Sequence, residues 1–463
     1  MNYFNATICV IACGLLAGCA GFHTRYQPAE LATPDQWQNS DAASATQTAP
    51  GDRWWRNFND PQLNQLIELA LARNNDLAAA ALLVRRARLQ AGLAVINPTL
   101  ALDLTTANSR NLRGAPNTVR SQSLSAAVRY KLDPWGKLAS QRDAAEWEAL
   151  ASAEDRASAA LALIGTTANL YWKIGNLQQR TAVSEQSIAY AGQVLQLVRL
   201  QRDAGAVSSL EVLEAERSLA SQQASHTQLL QQLTETRAAL AILFDSPPQT
   251  RYPELHTLSV ESLPTIDAGL PSQLLSRRPD LHAAELRLRK MLADVDATRA
   301  SYYPALTLTG SLGSASTALL NLLQNPVATV GVGLSFPFLQ WNQMRLSVEV
   351  SRLDYEKAVI DFRQTFYKAL SEVEIALSAR SQFQVQAGKL AQSLAAASKI
   401  EGLYQERYRA GAVPLRAWLD AQEAQRAAEI ALADNNLNLL NSQVALYQAL
   451  GGDAAVRERT AQP

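Results

Sequence analysis

The stretch that decides the fold occurs twice, as RDAGAVSSLEVLEAE at residues 202–216 and as YRAGAVPLRAWLDAQE at residues 408–423. Each copy follows a long run without proline and precedes a second helical pattern. Gly205 and Gly411 supply the positive φ that a sharp turn between two helices requires. The pattern therefore predicts two helix–turn–helix tips in one chain, with their loops at residues 204–207 and 410–413.

The two loops belong to an internal duplication. Their offset of 206 residues (411 − 205) also places Pro98 on Pro304 and Trp135 on Trp341. Upstream, NNDLAAA and RPDLHAA correspond at an offset of 204 residues (280 − 76), which indicates a two-residue insertion between the copies. The predicted organisation is a signal segment at 1–18, an extended segment at 19–60, a first repeat at 61–243, a proline-rich linker at 244–270, a second repeat at 271–450 and a tail at 451–463.

The N-terminus carries all three cysteines of the chain, Cys9, Cys13 and Cys19. An apolar run too short to span a bilayer ends at Cys19, which is typical of a signal peptide. The sequence Leu-Ala-Gly-Cys resembles a bacterial lipoprotein signal, which implies diacylglycerol and N-acyl (palmitate-type) lipid on Cys19. The following Ala20, in place of aspartate, implies sorting to the outer membrane. The alternative is an ordinary signal peptide with an incidental cysteine.

Composition argues against several other classes of function. The chain holds 42 basic and 42 acidic residues, so its net charge of zero implies no nucleic acid partner. The four histidines are scattered without metal-ligand spacing, and no catalytic constellation or phosphate-binding loop is found. We therefore expect no enzymatic activity and no cofactor other than the lipid.

The long proline-free runs predict long helices. Residues 137–201 allow a helix of about 100 Å, and residues 343–408 repeat that length. Shorter helical patterns follow each loop near 208–243 and 415–450. Ile188, Ala191, Leu195 and Val198 step by three and four residues, as in a coiled coil.

Four other segments alternate with a period of two, which predicts β-strands. They are TLALDLT (99–105), SLSAAVRYKL (123–132), ALTLTGSL (305–312) and TVGVGLSFPF (329–338). Their length suits tilted transmembrane strands, arranged as hairpins 99–132 and 305–338 with loops near 107–120 and 313–326; a half-buried soluble sheet is the alternative. Four strands cannot close a membrane barrel, and open edges are excluded from lipid, so the chain is expected to oligomerise.

The whole pattern resembles the outer-membrane factor (TolC-like) family, in the lipoprotein branch that serves RND-type efflux pumps. The resemblance rests on WWRNFNDPQLNQLI, on LLSRRPDLHAAELRLRKMLADVDATRASYYPALTLTG and on the two tips. It implies a mainly α fold with a helical coiled-coil tunnel and four transmembrane strands per chain. It also implies a homotrimer with one twelve-stranded β-barrel, in the outer membrane with a long periplasmic extension, and a passive exit duct for multidrug efflux.

The resemblance also assigns roles to the tips. It implies that a periplasmic membrane-fusion adaptor, joined to an inner-membrane RND-type transporter, docks on Gly205, Ala206, Val207, Gly411, Ala412 and Val413. It implies a periplasmic gate that contains Tyr408, Glu211 and an inner acidic ring of Asp420, which would favour cations. The family's arginine position is Val413 here, so Arg409 or Arg416 is the candidate partner of Glu211 in a closed-state latch.

Two other functions remain open from the sequence. A type I protein-secretion duct is the main alternative, and the lipoprotein signal and the RRPDL segment (277–281) favour efflux over it. A structural coiled-coil lipoprotein would not need the four alternating strands. For each tip charge, the competing interpretation is an ordinary solvated side chain at a helix start, which contributes about 0–1 kcal/mol to stability.

Overall fold

The computed structural model describes residues 23–39, 53–110, 113, 118–258, 260, 263–264, 266, 268–318, 323–324 and 326–452. The predicted signal segment, Cys19 and nearly all of the tail lie outside them. The described α-helices are α1 (Pro61–Arg73), α2 (Asn75–Ala94), α3 (Lys137–Asp203), α4 (Ser209–Leu243), α5 (Leu274–Arg277), α6 (Pro279–Ala300), α7 (Trp341–Arg409) and α8 (Leu415–Ala449). The described β-strands are β1 (Thr99–Arg110), β2 (Thr118–Leu132), β3 (Ala305–Ser316) and β4 (Val327–Ser335).

The chain forms two compact units. The strand unit contains Leu83–Ala153 and Ala283–Gln364, together with the described residues up to Leu31. The tip unit contains the described residues of Ala32–Leu82, Glu154–His282 and Thr365–Pro463. All four strands lie in the strand unit, and both AGAV loops lie in the tip unit.

The duplication predicted from the sequence is confirmed by the element bounds. Adding 206 to the bounds of β1 gives those of β3, and the same offset carries α4 onto α8. The two-residue insertion falls within a helix, because α2 has 20 residues and α6 has 22. The long helices are also confirmed, with 67 residues in α3 and 69 in α7.

The four strands form one antiparallel sheet in the order β1-β2-β3-β4. Two of its three pairings are hairpins within a repeat, and the third joins the repeats by pairing β2 with β3 from Gln122↔Ser316 to Leu132↔Leu306. The sheet therefore has two open edges, at β1 and β4.

The predicted second hairpin extends too far at its C-terminal end. Phe336 and Phe338 were expected to continue the alternation of β4, but the strand ends at Ser335. A 3-10 turn follows at Pro337–Leu339. Pro337 has no N–H to donate to a ladder, which explains the early end. The strands also reach farther into the first predicted loop than expected, since β1 continues to Arg110 and β2 begins at Thr118.

One face of the sheet is apolar and exposed. The register places Leu100 opposite Val128 and Leu308 opposite Val332, so these side chains share a face. Leu100 is 79% exposed and Val330, on the same face, is 89% exposed. Exposed apolar surface of this extent is characteristic of a surface that contacts lipid or another protein. Within the described part of the chain, no helix has the length and hydropathy needed to cross a membrane.

The tip unit has an aromatic core near the end of α8. Trp54 stacks on Tyr447 with ring centroids 4.5 Å apart, and Phe58 meets Trp172 edge-on at 4.9 Å. Trp54 and Trp55 are both 1% exposed. The WWRNF segment therefore anchors the start of the first repeat against the last helix of the second.

A charged clamp in the same unit joins three helices. Arg278 donates to both carboxylate oxygens of Asp280 at 3.0 and 2.7 Å, to Glu372 of α7 at 2.7 Å and to the carbonyl of Ala449 of α8 at 3.2 Å. Its side chain is only 10% exposed. Burial alone would raise the pKa of Asp280, but the hydrogen bonds and charge of Arg278 outweigh it and lower that pKa.

We expect Arg278→Ala to lower the free energy of unfolding by about 2 kcal/mol, because it leaves partly buried carboxylates without their cation. The pKa of Asp280 is depressed in the folded state, so the clamp stabilises above the usual value of 3.8 and its effect is lost as pH falls. Thermal unfolding by circular dichroism in detergent, at pH 7 and at pH 3, measures both effects.

The matched control is Arg352→Ala. Arg352 is 65% exposed and pairs with Glu356 on the same helix at 3.1 Å, so its loss should cost less than about 0.5 kcal/mol. Equal stability of Arg278→Ala and Arg352→Ala at pH 7 would show that the clamp does not stabilise the folded state.

Candidate functional site at the helix tips

Both AGAV loops end their long helix in the same way. Gly205 has a φ of 75° and Gly411 a φ of 72°. The N–H of Ala206 donates to the carbonyl of Gln201 at 2.8 Å, and the N–H of Gly205 to that of Arg202 at 2.8 Å. This pair of bonds is the Schellman motif, in which a left-handed residue closes the last helical turn.

The second loop repeats this geometry 206 residues later. The N–H of Ala412 donates to the carbonyl of Arg407, and the N–H of Gly411 to that of Tyr408, both at 2.9 Å. A Cβ added to either glycine would meet nothing within 4 Å. The loops thus need glycine for its positive φ and not for space.

The helices that follow begin differently. Ser208 caps α4 by accepting from the N–H of Leu210 at 3.2 Å, while the carboxylate of Glu211 accepts from the N–H of Ser208 at 3.0 Å. The second loop has Pro414 at the N-cap position, with no side-chain cap. Hydrogen bonding from the Ser208 hydroxyl lowers the pKa of Glu211, which stabilises its charged form at this helix start.

A single apolar core lies behind both loops. Val207 and Val413 are partly buried against it, while the neighbouring glycines and alanines of the loops are exposed. Of the predicted coiled-coil positions, Leu195 (7% exposed) and Val198 (0%) belong to this core. Each valine therefore anchors its loop and leaves a small Gly-Ala surface in solvent. The buried core consists of Val194, Leu195, Val198, Val212, Ala215, Tyr408, Leu415 and Trp418.

Three aromatic rings hold the two helix pairs together. Trp418 stacks on Tyr408 with centroids 5.1 Å apart and meets Tyr190 edge-on at 6.0 Å. The hydroxyl of Tyr408 donates to the side-chain oxygen of Gln201 at 2.7 Å, which connects α7 to α3. Burial and, to a smaller extent, the charge of Glu211 raise the pKa of Tyr408, so the hydroxyl keeps its proton.

Sequence analysis identified Tyr408 but missed Trp418. Trp418 is 2% exposed, and its indole N–H donates to Glu401 at 2.9 Å. The signal was present in the spacing, because Leu415 and Trp418 are three residues apart and lie on the same helical face.

Three of the four predicted gate charges, Arg409, Arg416 and Asp420, are exposed, and Glu211 is partly exposed. Arg416 is 3.9 Å from Asp420 in a pair one helical turn apart, with side chains 69% and 74% exposed. Arg409 is exposed at the end of α7, and Glu211 is part of the capping interaction already described. The latch between Glu211 and Arg409 or Arg416 stays a prediction.

The chain is similar to known outer-membrane proteins over most of its length. A family model described as outer membrane efflux protein matches residues 66–244 and 270–452. The pyoverdine export outer membrane protein OpmQ of Pseudomonas putida is 34% identical over 438 residues, which are 91% of this chain and 92% of that protein. The toxin and drug export protein A of Aggregatibacter actinomycetemcomitans is 28% identical over 458 residues, 98% of each chain.

A solved structure shares the fold. The open-state MtrE outer membrane channel of Neisseria gonorrhoeae is 27% identical, with a TM-score of 0.76 over 93% of this chain and 98% of that one. The two ranges matched by the family model each contain one of the AGAV loops, in agreement with the duplication.

We expect Gly411→Ala to lower the free energy of unfolding by about 1 kcal/mol, because alanine is strained at a φ of 72°. The matched control is Gly402→Ala, nine residues earlier in α7, where an added Cβ meets nothing within 4 Å. That change should raise stability by about 0.5–1 kcal/mol, since glycine disfavours a helix interior. Thermal unfolding measures both changes in stability, which should have opposite signs. If both variants were destabilised or both were stabilised, the result would contradict the turn geometry.

Proposed function

Because the chain belongs to the outer membrane efflux protein family, we propose that it is the outer-membrane exit duct of a tripartite efflux pump. The proposal rests on the sheet, whose exposed apolar face and open edges suit one segment of a larger transmembrane wall. The duct conducts substrates passively from the periplasm to the exterior. Energy and selectivity come from its partners.

Closure of the wall requires other copies of the chain. The backbone N–H and C=O groups on the outer sides of β1 and β4 have no ladder partner within this four-stranded sheet. Unsatisfied backbone groups are excluded from lipid, so β1 of one protomer pairs with β4 of the next. Three copies make twelve strands, a number within the range of membrane barrels. The polar face, which carries Asp103, Arg129 and Lys131, then lines the water-filled side.

The AGAV loops are the docking surface for a periplasmic adaptor that connects the duct to an inner-membrane transporter of the RND type. Their exposed Gly-Ala surface allows close approach of a helical hairpin, and the partly buried Val207 and Val413 keep each loop in shape. A trimer presents six such loops. Ser208 and Pro414 make the two kinds of loop chemically distinct.

A lipid on Cys19 attaches the N-terminus to the membrane. Five residues later, Thr24 donates from its N–H and its hydroxyl to the carboxylate of Asp296, both at 2.6 Å. Tyr26 lies over the guanidinium of Arg289 at 5.0 Å. These contacts hold Thr24 and Tyr26, shortly after the lipidated Cys19, against the rest of the strand unit.

Export of a protein is the second candidate function. It is favoured by the similarity to the relative named toxin and drug export protein A. Both functions use the same duct and differ in the inner-membrane partner.

The adaptor-docking proposal is tested by cysteine cross-linking in cells. The native cysteines are confined to the first nineteen residues, so Ala206→Cys and Ala412→Cys introduce thiols on a nearly cysteine-free background. We expect both to cross-link to a periplasmic adaptor, identified by mass spectrometry. Gln392→Cys, exposed on α7 well before the helix ends at Arg409, is the control and should not cross-link.

Deletion of the gene should cause accumulation of small efflux substrates. Accumulation of small substrates in the deletion strain, without an adaptor cross-link at either cysteine, would contradict the proposed docking surface but not the proposed duct function. Loss of secretion of a protein, with unchanged accumulation of small molecules, would favour the second function.

The gate is tested by Tyr408→Phe. The change removes the hydrogen bond from α7 to Gln201 of α3 and weakens the contact between the helix pairs by about 1 kcal/mol. We expect increased entry of a large antibiotic in a strain that carries the variant, with Tyr404→Phe as the control because Tyr404 packs against the same core. Unchanged antibiotic entry together with unchanged transport would mean that Tyr408 has no part in a gate.

A further inference from the structure

The two hairpins have diverged in charge. The segment 301–344, which contains the whole second hairpin, has no Asp, Glu, Lys or Arg. The first hairpin carries Arg110, Arg113 and Arg120 around its turn, and no acidic residue occurs between Asp103 and Asp133. At the offset of 206 residues, Ser316 and Pro326 stand in place of Arg110 and Arg120. The duplication therefore has a basic end on one hairpin only.

The register places two of these arginines on the apolar face of the sheet. Arg110 pairs with Thr118, and Arg120 pairs with Asn108. Side chains alternate along a strand, so Arg110 and Arg120 share a face with Leu100, Leu102 and Leu104. That face changes from leucine to Thr106, Asn108 and Arg110 toward the turn. Asp103 lies on the opposite face and does not neutralise the pair.

The two arginines are spaced to act on one anion. They are diagonal neighbours across β1 and β2, a relation that separates the two positions by about 7–8 Å and their Cβ atoms by somewhat less. Both are exposed. Guanidinium groups bind phosphate through paired N–H donors and are less strongly hydrated than ammonium groups. Long arginine side chains at this spacing can converge on a single phosphate.

We propose that Arg110 and Arg120 bind a phosphate group of the glycolipid in the outer leaflet of the outer membrane. Arg110 and Thr118 are the ends of β1 and β2 farthest along the chain from α2 and α3, and α3 leads to the loop at 204–207, the proposed periplasmic docking surface. In the proposed duct these strand ends therefore face the exterior, where the phosphorylated glycolipid lies. Leu100, Leu102 and Leu104 contact its acyl chains, and the arginines contact its head group. The inference depends on the outer-membrane location and not on what the duct transports.

The test uses the full-length protein in detergent, with diphosphoryl lipid A as the probe and native mass spectrometry as the readout. We expect Arg110→Gln/Arg120→Gln to weaken binding by a factor on the order of ten or more, since each basic residue contributes substantially near an anionic surface. Arg129→Gln/Lys131→Gln is the control. It removes two positive charges from the opposite face of the same sheet and should change binding by less than about twofold.

Two further probes separate the phosphate from the rest of the lipid. Dephosphorylated lipid A should bind wild type weakly, to the same extent as diphosphoryl lipid A binds Arg110→Gln/Arg120→Gln. Inorganic phosphate should not displace diphosphoryl lipid A from wild type. Equal binding of both lipids to wild type would overturn the proposal, as would equal losses in the two double variants. Displacement by inorganic phosphate would also overturn it, because the site would then be a free-anion site.

If Arg110→Gln/Arg120→Gln does not assemble, Arg110→Lys/Arg120→Lys replaces it, because lysine keeps both charges. If this variant prefers the phosphorylated lipid over the dephosphorylated lipid less strongly than wild type does, the proposal is supported. If its preference equals that of wild type, the proposal is overturned. Drug susceptibility is measured in parallel. Unchanged efflux with lost lipid binding separates this inference from the proposed transport function.

Discussion

The pairing of β2 with β3 is the contact on which the rest of the strand unit depends. Each repeat supplies only a hairpin, and an isolated hairpin is marginally stable. Eleven residue pairs, from Gln122↔Ser316 to Leu132↔Leu306, join the hairpins into one sheet with one apolar face. The same pairing leaves the outer sides of β1 and β4 open. The need to satisfy those backbone groups in lipid is the physical reason for the proposed assembly of several chains.

Duplication has kept the backbone and changed the side chains. Four helices end in the same pair of hydrogen bonds, at Gly205, Asp245, Gly411 and Gly451, and the residue at each end has a positive φ. Asp245 occupies the position that Gly451 holds 206 residues later. The side chains differ at the start of the helix after each tip, where Pro414 stands in place of Ser208, and near the turns of the two hairpins, where Ser316 and Pro326 stand in place of Arg110 and Arg120. The repeats are therefore alike in fold and unlike in the chemistry of these surfaces.

Most of the architecture could be predicted because it depends on local pattern. Alternation located the four strands, the absence of proline located α3 and α7, and glycine located the tips. The end of β4 was misplaced because Phe336 and Phe338 keep the alternation while Pro337 prevents the ladder from continuing. At the site, the loop residues were predicted, but Trp418 was not, since its importance comes from stacking on Tyr408, which lies in a different helix.

The sequence by itself determined the duplication, the lengths of the helices, the positions of the strands and the need for glycine at both turns. These follow from periodicity and backbone sterics, which act over a few residues. Only the tertiary structure decided that Arg278 clamps α7 and α8, that both loops share one core, and that Arg110 and Arg120 share a face of the sheet with Leu100. Each of these depends on which distant segments lie side by side, and that is set by strand register and helix packing and not by any local pattern.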